Sequence, residues 1–548
     1  MNFSDVVEVS RNLVTPSSNG IYIASASQHK VFVHITNTLQ IFQIFSCVDI
    51  VDGLLWSEDC LFVLSILKNR GIVQVFSLEN PEWTCKVDEG SSGLLSATWA
   101  PDSRHFLTTT DFHLRITVWS VSEVSISYLK FPKVSRKSVY NSVLRTGNQT
   151  RSMKSGCENN LAFCPGGRYL ALLERRNFED HLSLFDCRLQ WTLLWNITLD
   201  TNDAENILWS PDGLFIVVWD NCLRYKAVVY RVDGKHLCTY CAYESNQMLG
   251  IKSVSWSPTG QLLAIGSYDE KCRILNSFNW TCLACLKHPV DVSIDPSLGL
   301  SPTGHPVYIS NKNDGECTTH RINCIHIYEE IYTRSSSDFL TNLSSNHMSS
   351  SNVQYKLINN PVIIESKQPD PKKAFPKIGI SFTEFSSDGR FLATRNDNCS
   401  NVIWIWSIDR YFSLFSLLIH NSGEVSSVMW DPNCSARLAL CTGSDTVFLW
   451  TPHGCLAVQS PAHFNLSISS IGWLSSGDVI LLRSDNGFCL CYLDSNDNVV
   501  GERNPIRRPS ELSASNDKLN LYEENRNSES ESVYCPPSSS HFSGERLY

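Results

Sequence analysis

Short apolar runs alternate with polar turns along this chain, and one pattern keeps returning. An apolar residue is followed by Trp or Phe, then Ser, Ala or Cys, then Pro or a polar residue, then Asp or Gly, and a fresh apolar run begins. The pattern reads Leu55-Trp56-Ser57-Glu58-Asp59, Thr98-Trp99-Ala100-Pro101-Asp102 and Ala162-Phe163-Cys164-Pro165-Gly166-Gly167. It returns as Leu208-Trp209-Ser210-Pro211-Asp212-Gly213 and Ser255-Trp256-Ser257-Pro258-Thr259-Gly260. Further on come Glu384-Phe385-Ser386-Ser387-Asp388-Gly389, Met429-Trp430-Asp431-Pro432 and Gly472-Trp473-Leu474-Ser475. An early copy, Val14-Thr15-Pro16-Ser17-Ser18-Asn19-Gly20, lacks the aromatic residue.

The spacing sets the period. Val14 to Trp56 is 42 residues, Trp56 to Trp99 is 43, Phe163 to Trp209 is 46 and Trp209 to Trp256 is 47. Phe385 to Trp430 is 45 and Trp430 to Trp473 is 43. The two longer gaps, 99 to 163 and 256 to 385, each read as one period plus an insertion. A second phase lies about twenty residues after each anchor, in alternating runs such as Ile72-Val73-Gln74-Val75-Phe76, Ile116-Thr117-Val118-Trp119 and Val447-Phe448-Leu449-Trp450. A third phase places Trp83, Trp191 and Trp280 before a following strand.

Each unit therefore reads as strand, turn, strand, polar loop, strand, turn, strand. Pro presets φ in the turns, and Gly or Asp takes their awkward positions. A four-stranded meander cannot bury both faces alone, but radial stacking of such sheets buries them. A period near 40–45 residues with this layout is that of a WD-repeat β-propeller blade. The fold class is all-β, with about nine four-stranded blades. A single nine-bladed ring is the first reading; a seven-bladed ring with two appended units, or two smaller rings, are the alternatives. Blades one to three are read over 1–132, four to six over 161–287 and seven to nine over 378–500, with the last unit truncated near Asp494. Residues 133–160 read as a polar loop and 288–377 as a long, mostly disordered insertion in which Val362-Ile363-Ile364 is a short strand. The Ser-, Asn- and Glu-rich 501–548 reads as a disordered tail, in which Arg507-Arg508-Pro509-Ser510 is an ordinary solvated stretch.

Composition narrows the function classes. Trp outnumbers Met by 15 to 5, which favours strands over long helices. The net charge is −10, and the densest basic run, Lys130 to Lys137, reads as a solvated loop, so nucleic acid is not an expected partner. The start Met1-Asn2-Phe3-Ser4-Asp5 lacks the features of a signal peptide, and no apolar run approaches the roughly 18 residues of a membrane span. The 21 cysteines are accordingly expected as small buried hydrophobes in a reducing compartment, and the Asn-X-Ser/Thr sequons as chance.

Motifs of catalysis are missing: no P-loop spacing, Gly-x-Ser-x-Gly elbow or His-Glu-x-x-His occurs. Cys282-x-x-Cys285 lies in an expected strand, where positions three apart face opposite sides and chelate poorly. Cys489 and Cys491 read as blade packing. No catalytic, metal or cofactor residue is assigned, and the expected role is protein binding without enzymatic activity. The loops between second and third strands gather on one face of a propeller, and their mixed charge suits a polar or amphipathic protein segment. The candidates are Arg70, His113, Arg175, Asp220, Asp269, Arg395 and Asp397.

Several strings resemble one family. They are Met1-Asn2-Phe3-Ser4, Gly71 to Gly90, Phe112 to Ser120, Gly250 to Asn276, Lys377-Ile378-Gly379-Ile380 and Phe391 to Asn398. The chain from Met1 to Val500, insertions excluded, is similar to the WD-repeat-containing antisense-to-tumour-protein family. That resemblance implies a cytoplasmic, cytoskeletal scaffold at the centrosome, centriolar satellites and spindle poles. It implies a coiled-coil centrosomal partner (the afadin- and α-actinin-binding type), a minus-end-directed kinesin, anchoring of spindle microtubules, and support of centriole and cilium assembly. The WD dipeptide is degenerate, as in Phe76-Ser77, Trp119-Ser120 and Trp406-Ser407, so the His–Asp side-chain network of regular repeats is expected to be mostly absent. A translation-initiation-associated propeller that contacts ribosome or RNA is the alternative function.

Overall fold

The computed structural model describes residues 2–111, 115–123, 125–129, 160–176, 178–243, 249–292, 325–334, 351–358, 362–369, 377–409, 412–434, 436–461 and 466–493. The loop read over 133–160, apart from Asn160, most of 288–377, and the tail 501–548 lie outside these residues. Among the described residues the regular structure is strands and short 3-10 turns, with no α-helix.

Nine antiparallel sheets follow one another along the chain, over residues 14–46, 53–88, 96–128, 161–198, 204–240, 251–287, 380–419, 427–459 and 470–492. Blade one shows the plan: Val14–Pro16, Tyr22–Ser27, Lys30–Ile35 and Ile41–Ser46 pair in chain order. The middle strands read as near-continuous apolar runs because both their faces are covered.

Nine apolar clusters fill the spaces between the blades, and each joins one blade to the next. The first packs Val31 and Val33 of blade one against Val63 and Phe76 of blade two. Others join Leu184 to Val218, Ile265 to Val217 and Ile405 to Leu440. The last joins Leu481 and Leu490 of blade nine to Val14 and Ile23 of blade one. The clusters thus close a single nine-bladed ring.

The strand that the last unit lacks comes from the other end of the chain. Asn2–Phe3 and Val7–Glu8 pair antiparallel with Gly487–Tyr492, in register Phe3 to Cys491 and Val7 to Phe488. Residues 2–8, grouped with blade one by the repeat pattern, therefore belong to blade nine. They carry no repeat signature, because their only role is to complete a sheet whose other strands lie more than 450 residues away.

The anchor tryptophan latches neighbouring blades in five of the six units that have one, Trp256 being the exception. Its indole N–H donates to a main-chain carbonyl on the first strand of the preceding blade: Trp56 to Thr15 at 2.9 Å, Trp99 to Leu55 at 3.4 Å, Trp209 to Ala162 at 3.0 Å, Trp430 to Glu384 at 3.0 Å and Trp473 to Met429 at 3.1 Å. The Ser and Asp that follow build the turn. Ser57 Oγ donates to Asp59 at 2.6 Å and accepts from the Phe62 amide at 3.0 Å; Ser386 makes the same pair of bonds with Asp388 and Phe391. The third tryptophan phase is explained by backbone shape. Trp191 and Trp280 sit at φ of 58° and 59°, in the left-handed region, where a hairpin turns into a bulged fourth strand.

Part of the stretch read as an insertion is built into blade seven. His326–Arg334 pairs parallel with the fourth strand, Ser413–Ile419, and Ser351–Ile358 pairs antiparallel with His326–Arg334, giving six strands. Val353 and Tyr355 pack over the core shared with blade eight. The buried Glu330 carboxylate accepts from the Asn421 and Ser422 amides at 2.8 and 2.9 Å and fastens the hairpin to the link between the two blades. The uncharged run Ser413–Ile419, apolar at five of its seven positions, is the sequence signal for this cover, since an ordinary outer strand alternates. Val362–Ile363 is a strand as expected, paired with Asp291–Val292.

The indole latch and the packing it accompanies separate in two variants. Trp430→Phe keeps most of the ring volume and loses one hydrogen bond, so urea unfolding should show a loss of about 1 kcal/mol. Trp430→Ala should cost about 3–5 kcal/mol. Equal losses for the two would mean that the hydrogen bond, not packing, carries the interface.

Candidate protein-interaction face

In a meander the turns alternate between the two ends of the sheet. The turns between second and third strands therefore share one face of the ring with the connections from blade to blade. Both insertions of the sequence start and finish on this face, between Tyr128 and Leu161 and between Lys287 and Ile380.

The polar residues expected to bind a partner there are mostly spent on the ring itself. Arg70, 63% exposed, pairs with Asp49 on the link from blade one at 2.7 Å. Arg175 pairs with Asp203 on the link to blade five and donates to the Asn202 carbonyl at 3.1 Å. Asp220 is fully buried and accepts from the Asn202 and Asp203 amides at 3.0 and 3.1 Å; burial raises its carboxyl above the usual range. A buried carboxylate offers nothing to a partner, so Asp220 belongs to the frame. Burial also acts to raise Asp269, but Arg273 at 2.7 Å and hydrogen bonds from Ser267 and Tyr243 hold its carboxyl below the usual range. Asp397 receives Lys252 from blade six at 2.5 Å, and Arg395 donates to the Val425 carbonyl at 2.6 Å on the link to blade eight. His113 lies outside the described residues.

The expected loss of the WD side-chain network is corrected in part. In blade seven the buried His288 ring bonds the Thr394 hydroxyl at 2.8 Å through Nε2 and the Glu270 carbonyl at 3.1 Å through Nδ1. Trp406 donates to the same hydroxyl at 2.9 Å. In blade three Glu89 takes the place of the histidine: it accepts from Thr108, which accepts from Trp119 at 2.8 Å. Blade four uses Glu174, Ser183 and Asn196, with both Ser183 bonds at 2.8 Å. The network survives with its members exchanged, which a search for the dipeptide does not reveal.

The groups left over on this face are apolar. Phe178, at the tip of the two-residue turn between Arg176 and Glu179, is 91% exposed. Its φ is 67°, a conformation that glycine adopts without penalty and an L side chain does not. Leu223, on the corresponding turn of blade five, is 67% exposed. Val48, Leu95 and Leu249 are exposed on blade-to-blade links of the same face. Charge marks loops in a sequence, which is why Arg175 and Asp220 are the candidates it offers; Phe178 and Leu223 lie on the same two turns, where an apolar residue carries no comparable signal. On the opposite face Phe278 is 93% exposed beside a hollow of about 520 Å³ lined by Phe215, Gln261 and Leu262.

Among the described residues no group of three or more His, Cys, Asp or Glu is placed to hold a metal ion, and the cysteines are free thiols. Cys282 is exposed and Cys285 buried, as positions three apart in a strand require. Burial pushes the Cys489 thiol up to about 12, which keeps it protonated and unreactive.

Comparison with known proteins places the ring among its relatives. The chain is 40% identical over 506 residues to mouse WD repeat-containing protein WRAP73, covering 91% of this chain and 97% of that one. It is 22% identical over 509 residues to an uncharacterised WD repeat-containing protein of Schizosaccharomyces pombe, covering 86% and 89%. Residues 222–293 match the model of the anaphase-promoting complex subunit 4 WD40 domain. Among solved structures, Chaetomium thermophilum Sqt1 aligns at a TM-score of 0.45 with 12% identity, and the C-terminal WD40 domain of Sif2 at 0.43 with 8%; each covers 90% of this chain and 99% of that one.

Two buried histidines make the frame acid-sensitive. Burial lowers His288 and His420 to about 3 from an ordinary 6.5. Both rings stay neutral in the fold and protonate in the unfolded chain, so the unfolded state binds more protons between those values. Stability should fall as the pH drops through this window, by up to about 1.4 kcal/mol per pH unit for each ring. His288→Asn should remove about one proton from the slope of unfolding free energy against pH between pH 6 and 4; an unchanged slope would contradict the assignment.

Proposed function

The chain belongs to the family of WD repeat-containing protein WRAP73, and we propose that it acts as a non-enzymatic scaffold that binds protein on the face bearing Phe178 and Leu223. The observation that carries this reading is the tip of blade four. A large aromatic ring stands in water on a strained backbone position, although the charged Arg175 nearby on the same hairpin is paired with Asp203. Exposed aromatic anchors rimmed by charge are the usual hot spots of protein interfaces. The Arg175–Asp203 pair, between the two blades that bear the anchors, holds them on a rigid support, which reduces the ordering cost of binding.

The occupant proposed is the coiled-coil centrosomal protein of the afadin- and α-actinin-binding type, with a minus-end-directed kinesin as a further member of the assembly. Residues such as GIVQVFSLENPEWTCKVDEG at Gly71 to Gly90 carry the resemblance that supports this choice. An amphipathic helix suits the face, since it offers an apolar stripe to Phe178 and Leu223 and charge to the surrounding rim. The site of action proposed is the centrosome, centriolar satellites and spindle poles, where the scaffold would anchor microtubule minus ends and support cilium assembly.

Phe178→Gly separates binding from stability. It should relieve about 1 kcal/mol of backbone strain and raise the unfolding midpoint, while weakening capture of the coiled-coil protein about tenfold or more. Phe278→Ser, on the opposite face, should leave capture unchanged. In dividing cells the tagged wild-type chain should form polar foci that survive microtubule depolymerisation. A diffuse signal that sediments with ribosomes would overturn the spindle-pole reading.

A further inference from the structure

The fourth strand of blade one, Ile41–Ser46, is unlike the other outer edges. Ile41, Phe42 and Ile44 are exposed on it, more large apolar groups than any other fourth strand shows among the described residues. The exposed apolar stretch continues into Val48 and Ile50. From Ile35 to Val48 the sequence contains no charged residue. Charge guards some outer strands, as Lys86 and Asp88 do Thr84–Asp88 of blade two; Thr192–Thr198 and Gly454–Gln459 are uncharged too, so the three exposed apolar side chains are what set blade one apart.

The main chain of this edge is open as well. The Cys47 amide donates to the His29 carbonyl at 2.8 Å, and the register pairs Phe45 with Val31 and Gln43 with Val33. Hydrogen-bonded pairs recur every second residue in an antiparallel ladder. Phe45 and Gln43 therefore bond inwards, while Ile44 and Ser46 turn their N–H and C=O groups away from the blade.

The ring already takes added strands at two other blades. Asn2–Phe3 completes blade nine, and His326–Arg334 lies parallel along the fourth strand of blade seven, which is apolar like that of blade one. We propose that the outer edge of blade one is a second docking site, which takes an extended segment of a partner protein as an added strand. The segment has apolar residues at alternate positions and an uncharged centre, to match Phe42 and Ile44, which lie two apart on the strand. It has an acidic residue at the end beside the exposed Lys30, which lies opposite Ser46. Main-chain hydrogen bonds to Ile44 and Ser46 hold it, and its apolar side chains set its register. The edge strand is separate from Phe178, which stands on blade four, and only its continuation at Val48 and Ile50 reaches the face of the links.

The test uses the full chain and a synthetic peptide of sequence Thr-Val-Thr-Val-Thr-Val-Asp, which has alternating apolar residues, an uncharged centre and one acidic end. Amide hydrogen exchange at Ile44 and Ser46 should slow about tenfold when nine sites in ten are occupied. Ile44→Lys should abolish that protection, and Ile44→Pro, which removes the outward amide itself and spares the inward ladder, should abolish it at Ser46. Protection confined to blade seven, or protection that survives both variants, would overturn the proposal. If exchange at Ile44 and Ser46 already slows with rising protein concentration and no peptide, the occupant is a second copy of this chain, and the partner assignment fails.

Discussion

Everything in this protein depends on covering both faces of each sheet. A four-stranded blade of this size has apolar residues on two sides, and only a neighbour on each side removes both from water. The nine clusters between blades are therefore one cooperative interior, and the ring is stable only when its last gap is shut. The gap is shut by apolar packing between Leu481, Leu490, Val14 and Ile23, by the strand pairing of residues 2–8, and by Tyr492, whose hydroxyl donates to the Thr36 carbonyl at 2.9 Å. The closing interface has these aids where the first unit has Thr15 and the other units have Trp or Phe.

The same constraint explains how charge is used. A closed ring leaves its links on the surface, and each link carries amides and carbonyls that need partners. Asp220 supplies two acceptor bonds to one link, and at another Glu330 does so while Arg395 reaches the Val425 carbonyl. Charged side chains on this face thus serve the backbone first. What remains for a partner is the apolar surface that no link requires, which is why Phe178 and Leu223 stand out.

The hairpin on blade seven and the N-terminal strand on blade nine follow from edge chemistry. An outer strand with unused N–H and C=O groups and an apolar side is completed by whatever segment reaches it. In blade seven that segment comes from within the long gap of the repeat, and it buries Glu330 and His420 beside Tyr355. A stretch without repeat character thereby became part of the core.

The sequence by itself determined the blade. Alternating apolar strands, Ser-x-Asp turns and an anchor aromatic every forty-odd residues are local, and local patterns specify local structure. They gave the number of units and the strand order, and the indole that proved to be an interblade donor was visible as the anchor. Three matters were decided only by tertiary structure. Closure depends on pairing residues 2–8 with 487–492, which no local period encodes. The added hairpin depends on an edge left open by a different part of the chain. The roles of Asp220 and Asp397 on one hand and Phe178 on the other depend on burial, and burial belongs to the whole ring: the same loop composition yields a structural acid where a neighbouring link covers it and an exposed anchor where none does.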